Sequence, residues 1–351
     1  MKFDALLKGD TVLLDLRSAE EFRKGAFPNS INLPLLDDEQ HKQVGICYKS
    51  HGREAAVKLG HQLINPEVKA GRMHDWLAVL TQHPDALLYC WRGGLRSQTV
   101  QQWLSEVGKE VPLVPGGFKA LRSCCMDYFE NLPVQQEFLV IAGRTGSGKT
   151  PFINRFSNSI DLEGLANHRG SAFGRKSSEQ PTTINFEHAL ARELFRLYSQ
   201  RRIIVEDESR IIGRLAIPEG LFGRMRTAPV LVLESPLEER SLRIFEEYVT
   251  QALGKADNTR GQLENRYLAA LERIKRRLGG QRCTDIASHL RRAFAAEPGT
   301  RGYVEKHLFW IENLLNWYYD PMYDFQLSKK QDRVILTGDC STIEDYLFKR
   351  N

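Results

Sequence analysis

Short apolar runs alternate with polar, helix-compatible segments along the chain. In its first part, the runs Thr11–Leu16, Ile31–Leu33 and Ala86–Tyr89 have the length and composition of buried strands. The polar segment Ala19–Lys24 predicts a helix between the first two runs. Apolar side chains recur at helical spacing after the third run, at Val100, Trp103, Leu104 and Val107. Strands that alternate with helices predict a parallel sheet that is covered on both faces.

The second part repeats this alternation after a charged connecting segment. Its strand candidates are Phe138–Ala142, Arg202–Val205, Pro229–Leu233 and Arg333–Leu336. With 351 residues the chain is long enough for two ordinary domains. The predicted organisation is an α/β domain over residues 1–120, a connecting helix or linker over residues 118–134, and a second α/β domain with a parallel sheet over residues 135–351.

Composition excludes several classes of protein. The chain is 42% hydrophobic and 26% charged, which is typical of a globular protein in water. No apolar run has the ~20 residues that a membrane span needs, and the N-terminus lacks the apolar core of a signal peptide. The six cysteines form no CxxC pair, so neither a zinc site nor a disulfide framework is indicated. We therefore expect reduced thiols and a cytoplasmic location.

Positive charge is concentrated in one helix-compatible region. The net charge is +5, and residues 255–301 contain eleven basic and five acidic residues. Such a region is a candidate surface for a phosphate backbone, although a solvated helix face would explain the same charge. The candidate RNA contacts are Arg266, Arg273, Lys275, Arg276 and Arg277.

Residues 143–150 (GRTGSGKT) match the phosphate-binding pattern G-x-x-x-x-G-K-[ST] in full. They follow an apolar strand and precede a helix-compatible segment, as the mechanism of such a loop requires. The predicted phosphate-binding residues are Gly143, Gly146, Ser147, Gly148, Lys149 and Thr150. Binding of a magnesium ion at Thr150 is left open. The loop would bind any pyrophosphate group, so the loop alone does not establish ATP hydrolysis.

Three acids follow the strand at residues 202–205. Glu206, Asp207 and Glu208 are candidates to hold a metal ion or its waters beside the phosphate. The spacing does not select one of them, and an acidic strand end that faces solvent is the alternative.

Residues 90–97 (CWRGGLRS) place a thiol where a strand ends in a glycine-rich turn. Backbone amides of such a turn, the following helix N-terminus and the charges of Arg92 and Arg96 favour a thiolate. Cys90, Arg92 and Arg96 are therefore the candidate catalytic residues. The other cysteines lack comparable surroundings.

Residues 15–22 (DLRSAEEF) and 25–34 (GAFPNSINLP) precede the thiol loop, and residues 115–120 (PGGFKA) follow it. These segments resemble the opening and closing signatures of rhodanese domains. In that family the loop cysteine carries sulfur or selenium as a persulfide or perselenide. Here Arg96 follows Cys90 after five intervening residues, which is the spacing of cysteine-dependent phosphatases and keeps that activity open as an alternative.

The pairing of this thiol loop with a P-loop resembles the tRNA 2-selenouridine synthase family. Residues 44–49 (VGICYK), 161–170 (DLEGLANHRG) and 318–323 (YYDPMY) also resemble that family. The resemblance implies a rhodanese-like α/β domain followed by a P-loop NTPase-like α/β domain. It further implies a transferase that converts 2-thiouridine at the tRNA wobble position to 2-selenouridine through an S-geranylated intermediate, with Cys90 as the selenium carrier.

The substrates that the resemblance implies are tRNA, selenophosphate and geranyl diphosphate, with no tightly bound cofactor. A selenophosphate-supplying enzyme is a candidate partner, and no membrane is expected. Arg92, Arg96 and loop amides would hold the phosphate while Cys90 takes over the selenium. We hypothesise that the P-loop binds the diphosphate of geranyl diphosphate.

The prenyl chain then needs an apolar wall. The candidates are Phe309, Trp310, Leu314, Leu315, Trp317, Tyr318 and Tyr319, although ordinary helix core is the favoured explanation of that stripe. Two other functions stay open. One is a P-loop ATPase or kinase with a sulfurtransferase or phosphatase-like first domain, and the other is a non-catalytic binding module.

Overall fold

The computed structural model describes residues 6, 11–176, 178–254 and 259–349. The chain forms two compact units. The first consists of Met1–Leu132 and Pro181–Tyr198, and the second of Pro133–Gln180 and Ser199–Asn351. The second segment of the first unit lies between the two segments of the second unit in sequence, which the predicted domain ranges did not include.

The predicted strands and helices up to residue 132 are present, and two further consecutive helices that the sequence analysis did not identify lie between the second and third strands. In chain order the elements are β1 (Leu13–Asp15), α1 (Ala19–Lys24), β2 (Ser30–Asn32), α2 (Asp38–Leu63), α3 (Pro66–Gln82), β3 (Leu87–Tyr89), α4 (Leu95–Ser105) and α5 (Gly117–Glu130). Ser18 and Asp37 each begin a helix with a capping box, which satisfies the first free amides of α1 and α2. Helix α2 is broken at Gly52, whose φ of 82° is left-handed, so it consists of two helical halves.

The later elements are more numerous and include two π-helical segments. They are β4 (Glu137–Ala142), α6 (Lys149–Ile153), β5 (Ser159–Ile160), α7 (Leu162–Leu165), α8 (Thr183–Arg196), β6 (Arg202–Glu206), β7 (Ile211–Ile212), β8 (Leu215–Ala216), α9 (Glu219–Thr227), β9 (Val230–Leu233), α10 (Leu237–Phe245), a π-helix (Glu246–Thr250), α11 (Gln251–Leu253), α12 (Arg260–Leu278), α13 (Gly280–Ala295), α14 (Tyr303–Leu314), a π-helix (Leu315–Tyr319), α15 (Asp320–Ser328), a 3₁₀ turn (Gln331–Arg333), β10 (Val334–Gly338) and α16 (Cys340–Phe348).

The first unit is built on a parallel sheet of order β2-β1-β3. A parallel bridge between Leu88 and Leu113 extends it. Leu14, Leu88 and Trp76 belong to the apolar core against this sheet. The side chains at the carboxyl ends of β1 and β3 therefore lie next to each other, and these ends carry Asp15 and Cys90.

The second unit is built on a parallel sheet of order β10-β9-β4-β6-β5. Strand β4, which leads into the P-loop, lies between β9 and β6 in the centre of the sheet. Strand β6, which leads into the three acids, is its direct neighbour. The parallel α/β architecture that the sequence predicted is confirmed, and the carboxyl edge of such a sheet is where ligands bind.

Helix α8 belongs to the first unit although it follows the P-loop in sequence. Phe186 and Leu190 on its apolar face are fully buried, and the Phe195 ring stacks on Tyr128 of α5 at 3.9 Å. Glu187 of α8 pairs with Arg122 of α5. Apolar periodicity predicts such a helix but does not say which sheet covers it.

A second apolar core of the second unit is mostly helical. It joins α12, α13, α14 and both π-helical segments, with Tyr267, Leu290 and Trp310 among its buried members. Among the described residues no helix is long and apolar enough to cross a membrane.

Candidate active sites

The thiol loop leaves the carboxyl end of β3 and is held by the segment before α5. The amide of Phe118 donates to the Cys90 carbonyl at 2.9 Å. A Cβ on Gly117 would clash with that carbonyl oxygen and would lie 2.5 Å from the Gly93 amide nitrogen. Only glycine fits there, also because its φ is 58°. The segment of residues 115–120, which resembles the closing rhodanese signature, therefore packs against the backbone of the thiol loop.

The sulfur of Cys90 accepts a hydrogen bond from the Ser97 hydroxyl at 2.8 Å. Helix α4 begins at Leu95 without a side-chain cap, so its first-turn amides are not satisfied by a capping side chain. Cys90 is only 3% exposed and belongs to the apolar core, although it lies at the predicted place where the strand ends in a glycine-rich turn. The turn that follows it is open, with Trp91 and Arg92 exposed. Ser97 was not identified from the sequence.

Arg96 is held on the opposite side of the loop by Glu21 of α1. Its two terminal nitrogens lie 2.5 and 3.1 Å from the Glu21 carboxylate oxygens, and both side chains are less than a fifth exposed. Burial raises the pKa of Glu21, but the hydrogen bond and charge of Arg96 outweigh it and the pKa lies below its usual range. Arg96 is thus a fixed, oriented guanidinium at the loop, while Arg92 is exposed.

A buried ionic cluster lies next to the thiol loop and contacts the residues that hold it. Arg17 binds Asp15 in a bidentate pair, and both are essentially inaccessible to solvent. Tyr89 donates to the same carboxylate at 2.6 Å, and the Arg17 guanidinium lies 3.8 Å from the Phe118 ring centroid. This cluster explains the Asp-Leu-Arg part of the opening signature as structural support for the residues on either side of Cys90.

The P-loop follows β4 as the pattern predicts. Gly146 and Gly148 have φ values of 80° and 85°, and a Cβ on Gly143 would lie 2.5 Å from Ser147 Oγ and 2.6 Å from the Leu233 carbonyl. Lys149 Nζ donates to the Gly143 carbonyl at 2.8 Å. The glycines are therefore required by backbone conformation and close approach, and the structure brings all predicted phosphate-binding residues into one loop.

Helix α10 contributes two arginines that the sequence reasoning missed. Arg240 donates to the Thr145 carbonyl and forms a buried bidentate pair with Asp320. Arg243 donates to the Gly146 carbonyl at 3.1 Å. The two guanidinium groups therefore hold the P-loop backbone through its carbonyls, while Asp320 and Glu239 balance their charges. The signal was present in the resemblance of residues 318–323 to the family, which include Asp320.

The three predicted acids separate in the structure. Asp207 pairs with Lys330 at 2.5 Å, whereas Glu206 and Glu208 lie near Glu163 of α7. Glu163 accepts from the Thr150 hydroxyl at 3.2 Å. Burial raises the pKa of Glu206 and Glu163, and burial together with Glu163 raises that of Glu208 to about 8. Glu163 belongs to residues 161–170, which the sequence reasoning used only as a resemblance.

Oxygen donors near Thr150 fit a magnesium ion. Neither carboxylate oxygen of the fully buried Glu206 has a hydrogen-bond partner among the described residues. The described residues form no group of three or more metal-ligating side chains. Magnesium usually takes only one or two protein oxygens and completes its shell with water and substrate phosphates, so Thr150 and Glu206 are the residues that would hold it. Bound there, the ion would neutralise charge on a diphosphate.

The predicted basic region forms α12 and α13, and residues 255–258 of it lie outside the described residues. Arg276 and Arg277 are exposed in the last turns of α12, and Lys275 pairs with Glu272. Arg273 donates to the Ala172 carbonyl, and Arg266 is half-buried. The five candidate RNA contacts are therefore on one helix, and Arg273, Lys275, Arg276 and Arg277 are all exposed.

A narrow apolar cleft of about 20 Å³ adjoins the P-loop. Thr145 of the P-loop lines it, together with Ser171, Phe173, Ile244, Tyr248, Trp310, Ile311, Leu314, Leu315 and Tyr319. Of the predicted apolar wall, Trp310, Leu314, Leu315 and Tyr319 thus face the cleft. Phe309 is exposed, and Tyr318 and Trp317 belong to or pack on the helical core.

The comparison with known proteins agrees with these two loops. A family model of the tRNA 2-selenouridine synthase AAA domain matches residues 136–351, and a rhodanese-like domain model matches residues 2–124. The chain belongs to the tRNA 2-selenouridine synthase family. A tRNA 2-selenouridine synthase of Shewanella frigidimarina is 44% identical over 99% of this chain and 97% of its own length. Its namesake from Marinobacter nauticus is 42% identical over 98% and 96%.

Membership of the tRNA 2-selenouridine synthase family confirms the predicted fold, in which a rhodanese-like domain precedes a P-loop domain. It also confirms that the chain is an enzyme of the transferase class. The N-terminal domain of an ATP/GTP binding protein from Clostridium difficile 630 matches 35% of this chain and 95% of that one at 30% identity. Its TM-score of 0.32 is too low to bear on the fold.

Proposed function

We propose that this chain replaces the sulfur of a tRNA 2-thiouridine with selenium in two steps at two loops. In the first step the P-loop unit transfers a geranyl group from geranyl diphosphate to the sulfur, and diphosphate leaves. In the second step Cys90 delivers selenium from selenophosphate, and the geranyl thiol leaves. Alkylation is useful because it converts a poorly leaving thiocarbonyl sulfur into a thiolate-type leaving group.

Atoms and electrons balance in the selenium step if Cys90 begins the reaction as a persulfide, the form that the loop cysteine of rhodanese domains carries. Selenium from selenophosphate displaces the terminal sulfur as hydrogen sulfide, and water takes the phosphate. The Cys90 perselenide then attacks the alkylated carbon and expels geranyl thiol. The sulfide cleaves the resulting sulfur–selenium bond and restores the persulfide. The Ser97 hydroxyl at 2.8 Å and the first-turn amides of α4 are the donors that favour the anionic carrier.

The observation that carries the first step is the apolar cleft beside the P-loop. Thr145 belongs to both features, so a ligand with a diphosphate on the loop has apolar side chains next to it. Phe173, Trp310 and Leu315 would contact a hydrocarbon chain that extends from the diphosphate. Burying apolar ligand surface in such a cleft favours binding by about 25 cal/mol per Å².

The cleft must widen to accept a prenyl chain, and its walls include residues of both π-helical segments. Tyr248 lies in the π-helix Glu246–Thr250, and Leu315 and Tyr319 lie in the π-helix Leu315–Tyr319. π-Helical turns are rare, less regular than α-helix and frequent at functional sites. Both π-helical segments therefore meet at the cleft that we assign to the prenyl chain.

Calorimetric titration of the full chain with geranyl diphosphate, inorganic diphosphate and ATP tests this assignment. We expect geranyl diphosphate to bind about tenfold or more tightly than inorganic diphosphate, because the chain adds apolar burial. Lys149→Ala should weaken both ligands, whereas Leu315→Trp should weaken only geranyl diphosphate by filling the cleft. Lys329→Ala, at an exposed lysine, is the matched control for loss of charge.

Two results would contradict the assignment. Tight binding of ATP with turnover in the absence of RNA, together with no binding of geranyl diphosphate, would favour the P-loop ATPase alternative. Equal affinity for geranyl diphosphate and inorganic diphosphate would show that the cleft does not contact the prenyl chain.

A further inference from the structure

A second and larger apolar cleft lies beside the thiol loop, within the first unit. Its volume is about 680 Å³, within the range of small-molecule sites. Helix α2 forms one wall and the start of α4 the other. Its apolar lining consists of Leu35, Leu36, Val44, Tyr48, Ala56, Val57, Ile64 and Leu95. Arg92 and Arg96 of the thiol loop close one end.

The walls of the cleft include large apolar side chains that are exposed to solvent. Tyr48 is 58% and Leu95 46% exposed, and both lie on its walls. Leu95 is the first residue of α4, so the apolar wall continues directly from the turn that holds Cys90. A contiguous exposed apolar surface that is rimmed by polar residues is typical of a ligand-binding groove or an interaction site.

Glycine keeps this cleft open. Gly45 lies inside the first half of α2, where glycine costs about 1 kcal/mol of helix stability relative to alanine. A Cβ at Gly45 would meet nothing within 4 Å. Neither backbone conformation nor close packing therefore requires glycine at this position. The effect of this glycine is to leave free space in the cleft.

The rim of the cleft is basic. Arg53 and Arg92 are exposed, and His41 lies 3.6 Å from the Glu21 carboxylate that holds Arg96. An apolar interior with a cationic rim is complementary to a ligand that carries both a hydrocarbon chain and phosphates. An S-prenylated nucleotide within an RNA strand has this combination, because the flanking phosphates remain attached to the alkylated base.

We propose that this cleft binds the prenyl chain of the S-alkylated RNA, with the chain along α2 and the adjacent RNA phosphates at Arg53 and Arg92. The inference rests on the proposed function for the origin of the alkylated RNA. It adds a second prenyl site, separate from the one beside the P-loop. That site brings the alkylated carbon to the thiol loop and gives the departing thiol an apolar environment.

The test compares two RNA hairpins that differ only in the alkyl group on one 2-thiouridine, S-geranyl or S-methyl. Their affinities for the full chain are measured by fluorescence anisotropy. We expect the S-geranyl hairpin to bind about tenfold more tightly, because each buried methylene favours binding. Gly45→Leu should remove most of this difference by filling the cleft, and Tyr48→Ser should reduce it by removing apolar wall. Neither change should alter binding of the S-methyl hairpin.

Gly71→Leu is the matched control. Gly71 is also an exposed helical glycine at which a Cβ would meet nothing within 4 Å, but it lies on α3 and does not line the cleft. Equal affinity for the two hairpins, or equal effects of Gly45→Leu and Gly71→Leu, would overturn the inference.

Conversion of the hairpins to 2-selenouridine separates this inference from the proposed function. Geranyl-dependent binding without any conversion would contradict the proposed function and leave the cleft assignment standing. Conversion that does not respond to Gly45→Leu at subsaturating RNA would retain the proposed function and contradict the cleft assignment.

Discussion

Ser97 Oγ donates a hydrogen bond of 2.8 Å to Cys90 Sγ, and both residues are buried. The two residues come from opposite sides of one turn, since Cys90 follows β3 and Ser97 lies in the first turn of α4. The bond therefore fixes the thiol relative to the N-terminus of that helix. Together with the helix amides, it places donors around the atom that we propose carries selenium.

Ser97→Ala tests the importance of this donor. A hydrogen bond to a charged group contributes about 1.5–3 kcal/mol, so we expect selenium transfer to slow by about tenfold or more. Alkylation of RNA from geranyl diphosphate should continue at its normal rate. Ser105→Ala, on the exposed side of the same helix, serves as the control. Equal selenium-transfer rates for the two variants would contradict the role of Ser97.

Stability of the first unit should depend on pH through His188. This side chain is fully buried, and burial lowers its pKa to about 4. The unfolded chain then binds more protons than the folded one between about pH 6.5 and 4, so stability falls as the pH is lowered through this window. At one pKa unit per 1.4 kcal/mol, the loss approaches roughly 3 kcal/mol.

Amide hydrogen exchange of α5 and α8 at pH 7 and pH 4.5 measures this loss. His188→Gln should flatten the dependence, whereas His74→Gln, at an exposed histidine of α3, should leave it unchanged. An unchanged slope in His188→Gln would show that another group is responsible.

The second unit should show the opposite dependence through Glu208. Its pKa is raised to about 8, by burial and then by the Glu163 charge. The folded state therefore binds more protons than the unfolded state between about pH 4.5 and 8, and stability falls as the pH rises through this window. Glu208→Gln should remove this loss in exchange measurements on β4 and β6, while Glu234→Gln, at an exposed carboxylate, should not. A persistent loss between about pH 4.5 and 8 in Glu208→Gln would contradict this assignment.

Charge on α12 should control affinity for RNA. Reversing Arg276 and Arg277 to glutamate should weaken RNA binding at low salt and make the affinity less dependent on salt concentration, because fewer counterions are released. Each lost phosphate contact should lower the salt slope by about one. Lys349→Glu, at an exposed lysine after α16, is the control. RNA affinity that is unchanged in the double variant would place the RNA on another surface.

The sequence predicted most strands of the parallel sheets and both loops because these depend on local patterns, whereas the two-residue strands β5, β7 and β8 were not identified. Buried parallel strands are short apolar runs, and the P-loop needs its glycines at fixed spacing. The positions of Cys90 and Lys149 follow directly, since each comes just after such a run. The predicted strands agree with the observed ones to within one or two residues at most ends.

Tertiary partners could not be predicted in the same way. Helix α8 has a clear apolar face, but that face does not specify the unit to which it belongs. The burial of Cys90, the pairing of Arg96 with Glu21 and the approach of Glu163 to Thr150 depend on contacts between residues far apart in sequence. The spacing of residues along the sequence does not specify such tertiary contacts.

The most direct test of the two-loop account is nucleoside analysis of tRNA from cells that produce Cys90→Ser or Lys149→Ala in place of the natural chain. We predict that Cys90→Ser tRNA accumulates S-geranyl-2-thiouridine without 2-selenouridine. Lys149→Ala tRNA should retain unalkylated 2-thiouridine, because diphosphate binding is lost. Accumulation of the same nucleoside in both variants, or 2-selenouridine in Cys90→Ser tRNA, would contradict the account.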